Sequence, residues 1–194
     1  MLGYTWPRFH AAVNDLPAAL LLVTVLFDLA GWWTRRDSLK AAALWTLWAG
    51  VIGGWVAVVA GLQAEKVIEH GEATHELMET HETLALITMS IFTVILAAKL
   101  VRRARLSGAE DAILRVLGVA GLVMLLWTAT IGGKMMFEHA AGITTATMVQ
   151  EMRDRAAGHE HEPGETEQHD EDQPAGARAD SAHHRVAGAP PARQ

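Results

Sequence analysis

The feature that most constrains this chain is a series of four apolar stretches, each long enough to cross a membrane. They lie at about residues 12–34, 40–64, 82–103 and 112–137. A bilayer has a hydrocarbon core about 30 Å thick, which a helix of about 20 apolar residues can cross. A soluble helix would carry a polar stripe, whereas these stretches are apolar nearly all round. The sequence therefore predicts an all-α fold, an integral membrane four-helix bundle within residues 1–150.

The end of the chain has a different composition. Residues 151–194 are rich in Gly, Pro, Glu and His, and they carry 10 Asp or Glu against 5 Arg. So little apolar surface cannot offset the entropy lost when the chain is ordered. We therefore predict a disordered, acidic, His-rich tail. Its histidines resemble a loose metal-collecting segment, although a solvating tail is the simpler interpretation.

Composition excludes several classes of function. The chain has no cysteine, so disulfides, thiolate metal sites and cysteine nucleophiles are ruled out. Its net charge is −6, whereas nucleic-acid binding normally needs a basic face. A Gly-rich phosphate loop, a nucleophile elbow and a His-Glu-x-x-His motif are also missing from the sequence. We therefore expect neither a stand-alone enzyme nor a nucleic-acid partner.

Basic residues are concentrated in two of the connections between the apolar stretches. The first and third connections contain Arg35, Arg36, Lys40, Lys99, Arg102, Arg103, Arg105 and Arg115. Cytoplasmic loops carry an excess of Lys and Arg, so both connections are predicted to be cytoplasmic and both termini extracytoplasmic. Trp32, Trp33, Trp45 and Trp48 would then form an aromatic belt at the cytoplasmic interface.

The histidines of the membrane domain all fall on the opposite, outer side of this predicted topology. They are His10, His70, His75, His81 and His139. Three of them, His10, His81 and His139, stand at the ends of three different spans, where a shared cofactor site is geometrically possible. A capping or interfacial role is equally compatible with the position of His81.

Carboxylates accompany these histidines on the outer side. Glu72, His75, Glu79 and Glu82 are spaced 3, 4 and 3 apart, which places them on one stripe of a helix. Carboxylates and imidazoles at such spacing can share a metal ion in helical bundles. Glu138, beyond the fourth span, is a further candidate ligand. The simpler interpretation is a solvated acidic helix end.

Two aspartates belong to the first apolar stretch. Asp15 lies near its start, where an aspartate ordinarily caps a helix. Asp28 lies well inside it, and a carboxylate within a membrane is costly enough to suggest a function. The alternative for Asp28 is that it reaches the interface or pairs with an arginine.

Three segments resemble a known family: FHAAVNDLPAALLLVTVLFDLAG, METHETLAL and IGGKMMFEHAAGI. With them, the chain resembles the bacterial four-span family catalogued as domain of unknown function 2231, over about residues 8–144. Many members open with a His-Pro pair and a second histidine, where this chain has Ala11 and Asp15. The resemblance implies a multi-pass protein of the bacterial inner (cytoplasmic) membrane. Some relatives are joined to redox systems with haem or Rieske centres, which implies a redox association.

Three functions are compatible with these features. In the first, His10, His81 and His139 bind haem b or a redox transition metal, since a bundle can clasp haem between imidazoles of facing helices. In the second, the protein handles or transports metal ions. In the third, it is a non-catalytic scaffold subunit. We rank redox binding first and expect the lipid bilayer, redox-chain proteins or a second copy of the chain as partners.

Overall fold

Five helices make up the part of the chain that the structure describes. The structure is a computed structural model, and it describes residues 6–102 and 106–158. The helices are α1 (Trp6–Thr34), α2 (Asp37–Glu65), α3 (Glu72–Arg102), α4 (Gly108–His139) and α5 (Thr145–Ala157). The first four are long and apolar enough to cross a membrane. The predicted all-α fold, a membrane bundle of four helices, is confirmed.

Two of the spans begin earlier than predicted. α1 starts at Trp6 and α3 at Glu72, so each is extended by about two turns or more at the end that carries its histidine. Pro7 lies in the first turn of α1, where its missing N–H has no intrahelical partner to lose. Asp15 is consequently an exposed residue inside α1. The prediction that it caps this helix is wrong.

Local signals fix both ends of α4. Ser107 is its N-cap, and the Ser107 side chain and the Glu110 side chain each bond the other's backbone N–H in a capping box. The helix ends where Ala140 adopts the left-handed conformation, with φ at 52°. Gly142, with φ at 89°, continues the turn in a region of backbone space that glycine enters without strain.

The four long helices form a ring around a narrow core. α1 and α3 each pack against both α2 and α4, so α1 lies diagonally opposite α3. Leu21, Leu47 and Phe92 fill the centre and are almost completely buried. Many other apolar side chains of the four helices are exposed, including Trp45, Val94 and Phe137. A membrane-spanning bundle presents these side chains to lipid.

The structure contains an internal repeat that was not predicted. We call α1 and α2 the first hairpin, and α3 and α4 the second hairpin. Asp37 and Gly108 begin α2 and α4 and stand 71 positions apart. His10 of α1 and His81 of α3 are separated by the same 71 positions. The two hairpins therefore run in the same direction through the bundle, like the parallel repeats of some transporters.

Glycine contacts inside the two hairpins follow the same offset. Gly50 of α2 and Gly121 of α4 stand 71 positions apart and each face the first helix of their own hairpin. A Cβ atom on Gly50 would lie 2.8 Å from a Leu21 methyl, and one on Gly121 would lie 3.1 Å from the Phe92 ring. Leu21 and Phe92 are again 71 positions apart. Small residues thus allow close helix packing at equivalent points of both hairpins.

The short helix α5 was not predicted. It extends past residue 151, where the disordered tail was expected to begin, and ends at Ala157. Disorder of the remaining tail, 159–194, stays a prediction because those residues lie outside the described part of the chain.

Candidate functional site

His10 lies in the second turn of α1 and points at α2. Its Nδ1 atom is 2.9 Å from the backbone oxygen of Ala57. The ring also lies against Gly61, one turn further along α2, where a Cβ atom would approach the ring to 3.1 Å. His10 is half-buried. A residue larger than glycine at position 61 would push this imidazole away from its place.

His81 has the same environment in the second hairpin. Its Nδ1 atom is 3.0 Å from the backbone oxygen of Thr128 on α4. Its ring lies against Gly132, where a Cβ atom would approach to 3.2 Å. In both hairpins the carbonyl partner follows the histidine by 47 positions. The two imidazoles are therefore equivalent members of the internal repeat.

These contacts define the tautomer of both rings. A backbone carbonyl only accepts hydrogen bonds, so Nδ1 of each imidazole carries the proton and donates it. The Nε2 atoms of His10 and His81 are then left with free lone pairs in the neutral rings. We call the end of the bundle that holds His10 and His81 the histidine end.

His139 does not share this position. It is the last residue of α4, seven residues beyond the glycine that contacts His81, or about 10 Å further along the helix axis at 1.5 Å per residue. The structure therefore gives His10 and His81, two of the three predicted cofactor ligands, equivalent positions in the two hairpins and places the third nearer the water. A ligand role for His139 stays a prediction.

The predicted metal ligands lie on the water-exposed part of the histidine end. Nε2 of His75 is 3.5 Å from a carboxylate oxygen of Glu79, one turn along α3. The His75 ring stacks on His70, with centroids 5.4 Å apart. Glu82 faces Glu65 at the end of α2, and Glu138 is exposed.

These groups do not form a cluster in the described part of the chain. Within residues 6–102 and 106–158, three or more His, Asp or Glu side chains do not come together in a geometry that could hold a metal ion. A metal site built from protein ligands alone would need at least three or four of them. Metal binding by His75, Glu79, Glu82 and Glu138 therefore stays a prediction without support from the geometry.

Asp28 belongs to a charged network at the opposite end of the bundle. Its carboxylate is 2.7 Å from Nζ of Lys99 on α3 and 3.3 Å from Nε of Arg115 on α4. Asp111 joins the network through Arg115 and Lys99. We call the end of the bundle that holds Asp28, Lys99, Asp111 and Arg115 the charged end. Asp28 thus pairs with an arginine, as one of its two predicted alternatives required.

The charged end corrects the assignment of Lys99 and Arg115 to a loop. Both lie inside helices, with 19% and 13% of their side chains exposed, and they surround a cavity of about 20 Å³. Trp32 covers Arg115, whose guanidinium carbon is 5.2 Å from the ring centroid, in a cation–π arrangement. Two cations and two anions balance, which is how a bundle tolerates buried charge.

This arrangement defines a small helical membrane protein with a pair of equivalent histidines at one end and a neutral ion-pair network at the other. The chain belongs to DUF2231, a family described as predicted membrane proteins, whose profile matches residues 7–145. The resemblance drawn from the three sequence segments is confirmed. Comparison with curated proteins and with solved structures finds no match.

Sequence reasoning found the two histidines but missed what organises them. Ala57 and Thr128 contribute backbone carbonyls, and the type of amino acid does not indicate that its carbonyl binds a histidine. Gly61 and Gly132 were detectable, because each follows a histidine by 51 positions. A search for residues repeated at an offset of 71 would have paired His10 with His81 and set His139 apart.

Proposed function

We propose that the histidine end binds one haem b, held by Nε2 of His10 and Nε2 of His81, and that the protein transfers electrons in the membrane. The single observation that supports this proposal most is the equivalent anchoring of the two imidazoles. Each donates Nδ1–H to a backbone carbonyl and keeps Nε2 free. Histidines that ligate metals almost always donate their other ring N–H in this way, because the bond fixes the ring and raises its basicity.

The number of ligands also favours haem over a metal ion alone. A bare metal ion would need three or four protein ligands, whereas a haem would be held by two imidazoles. His10 and His81 offer that number from helices on opposite sides of the bundle. Gly61 and Gly132 leave room for the two imidazole rings against the backbones of α2 and α4, which keeps each ring in a defined place.

The roles of the protein's own residues follow from these contacts. Haem supplies one-electron chemistry at a potential that its ligands and surroundings adjust. His10 and His81 would bind and orient it, while the carbonyls of Ala57 and Thr128 hold the Nδ1 protons and prevent rotation of the rings. Because His10 and His81 would both be occupied in holding the haem, the site would suit electron exchange with redox-chain proteins better than binding of a substrate.

We further propose that the histidine end faces outwards in the bacterial inner membrane. Arg35, Arg36 and Arg102 lie at or near helix ends on the side of the charged end, and such residues favour the cytoplasm. Lys99 and Arg115 are left out of this count of basic residues, because they pair with Asp28 and Asp111 inside the bundle. Reporter fusions at the C-terminus test this topology: a periplasmic reporter should be active and a cytoplasmic one inactive.

Purification of the full chain from haem-sufficient cells tests the haem proposal. We expect a Soret band and the α and β bands of a low-spin haem, with one haem b per chain by pyridine haemochrome assay. His10→Ala and His81→Ala should each lose more than nine-tenths of the haem. A folded wild-type protein without a Soret band would overturn the proposal.

Matched controls separate ligation from general damage to the histidine end. His75→Ala and His139→Ala remove histidines from the same end of α3 and α4, and both variants should retain haem. Circular dichroism and gel filtration show whether each variant is folded. Equal loss of haem in all four variants would contradict a site confined to His10 and His81.

A further inference from the structure

α5 has an apolar stripe that the four-helix bundle does not use. Met148, Val149, Met152 and Ala156 follow one another at spacings of 1, 3 and 4, which puts them on one face of the helix. Asp154 lies on the opposite face, and Glu151 lies beside the stripe, where it pairs with Arg155 at 2.8 Å. Such a division between an apolar stripe and a charged face is typical of a helix that lies on an apolar surface.

The described residues, 6–102 and 106–158, do not cover this stripe. Met148, Val149 and Met152 are exposed, and α5 has no buried residue. Among the described residues, the contacts between helices involve α1 to α4 and leave α5 without a partner. Its apolar side chains are therefore not packed against the described part of the bundle.

Two contacts hold α5 beside the membrane-spanning helices. Its first residue, Thr145, donates from its backbone N and from Oγ1 to a carboxylate oxygen of Glu69, at 3.3 and 2.8 Å. Glu69 belongs to the connection between α2 and α3. The connection 140–144 also passes Pro7 at the start of α1, which lies 3.9 Å from where a Cβ of Gly142 would be. α5 therefore starts at the membrane surface of the histidine end.

The charges of α5 complement a lipid surface. Arg153 lies one turn after Val149 and Arg155 three residues after Met152, so one arginine flanks each side of the apolar stripe. Arginines in these positions reach lipid phosphates while the stripe enters the headgroup region. Arg155 uses Nε for its bond to Glu151 and keeps its terminal N–H groups for a phosphate. Asp154, on the opposite face, would remain in water.

The geometry points to α5 as an interfacial helix that lies on the same bilayer the bundle crosses, at the histidine end. The lipid headgroup layer covers this helix: the apolar stripe inserts into it, and Arg153 and Arg155 bind lipid phosphates. This inference is independent of haem, because none of its residues contacts His10 or His81.

The absence of cysteine makes the test direct, because single cysteines can be labelled in the full chain. Met148→Cys and Met152→Cys place a nitroxide on the apolar stripe, and Thr147→Cys and Asp154→Cys place one on the polar face. The proteins are reconstituted in vesicles of phosphatidylcholine with phosphatidylglycerol. We expect the first two labels to be accessible to oxygen in lipid, and the other two to a water-soluble nickel complex.

Dilution of the protein in lipid distinguishes lipid from a second copy of the chain. Protection of the Met152→Cys label should not change when the lipid-to-protein ratio rises tenfold. Loss of protection on dilution would mean that another copy covers the stripe, and equal water access of all four labels would mean that nothing does. Either result overturns the inference.

A second variant tests the arginines. In Arg153→Gln with Arg155→Gln, the ratio of inserted to exposed label in anionic vesicles should fall by about fivefold for each charge removed. In pure phosphatidylcholine the same substitutions should have a much smaller effect. An identical ratio in both lipids, with and without the arginines, would contradict their role.

Discussion

The two hairpins share their histidine end and differ at their charged end. At the histidine end, equivalent positions hold the same residues: His10 with His81, and Gly61 with Gly132. At the charged end, equivalent positions hold opposite charges, because Asp28 and Lys99 are also 71 positions apart. These two side chains meet at 2.7 Å across the bundle. Equivalent positions therefore hold identical residues at the candidate cofactor site, and they hold residues of opposite charge where the two hairpins contact each other.

The difference shows how a repeated hairpin avoids a like-charge conflict. Two aspartates facing each other at this depth would repel, as would two lysines, since water screens a half-buried pair poorly. One of each forms an ion pair. The histidines face no such conflict, because each neutral imidazole is satisfied by a carbonyl of its own hairpin. The two ends of the bundle are thus free to carry different chemistry.

The largest expected effect comes from removing one partner at the charged end. Asp28→Asn leaves Lys99 and Arg115 with one anion between them, with less than a fifth of each side chain exposed. An uncompensated buried charge typically costs 3–5 kcal/mol, and we expect a loss of about 3 kcal/mol. The free energy of unfolding is measured by SDS titration in mild detergent micelles.

A double substitution serves as the control for this prediction. Asp28→Leu with Lys99→Met removes an ion pair and leaves Arg115 with Asp111, so the network remains neutral. Replacing a buried pair by apolar residues is often neutral or stabilising. A double variant as unstable as Asp28→Asn would show that the two charges act separately. It would contradict the interpretation that the ion pair of Asp28 with Lys99 joins the two hairpins.

The next largest effect compares the equivalent glycines. Gly50→Ala should destabilise the bundle by about 2 kcal/mol through overpacking, because the Leu21 methyl at 2.8 Å is buried and cannot move freely. Gly121→Ala meets its neighbours at 3.1 Å and should cost about 1 kcal/mol. Gly133→Ala, with open space around it, is the control. It should not destabilise the bundle and should gain up to about 1 kcal/mol from the higher helix propensity of alanine.

A smaller effect is expected from a hydrogen bond that has no counterpart at the equivalent positions. Trp55 of α2 donates from Nε1 to Oγ1 of Thr93 on α3, at 3.0 Å. The equivalent positions on α4 and α1 hold Leu126 and Leu22, which form no hydrogen bond between side chains. Trp55→Phe should therefore cost about 0.6 kcal/mol, the average for such bonds in membranes. Leu126→Phe should cost less, and the reverse order would be inconsistent with this asymmetry.

The smallest effect depends on pH. Two hydrogen bonds from Thr145 hold the pKa of Glu69 below its usual value of 4.5. A lowered pKa means that the contact contributes at neutral pH and is lost as the pH falls below 4.5 through the folded value. A nitroxide on Gln150→Cys should thus gain mobility between pH 6 and about pH 3.

Glu69→Gln provides the control for the pH effect. The amide oxygen can still accept a hydrogen bond but does not titrate in this range. Mobility of the label in this variant should be independent of pH. The same acid-induced change in both proteins would assign the effect to another group.

Much of the fold follows from the sequence, because length and apolarity are enough to identify four spans. The positions of Lys99 and Arg115 did not follow, since a basic residue at the end of an apolar run looks the same in a loop and in a paired network. α5 was missed because its acidic and basic residues resemble the tail in composition. The carbonyls that bind the histidines could not be predicted, because every residue has one.

The most direct test of the central claim, that His10 and His81 form one site, is titration of the haem-free full chain with haem. We predict a single Soret transition that saturates at one haem per chain, with affinity falling at least 100-fold in His10→Ala and by the same factor in His81→Ala. Binding of two haems, or a wild-type titration curve in either variant, would contradict a shared site between the two hairpins.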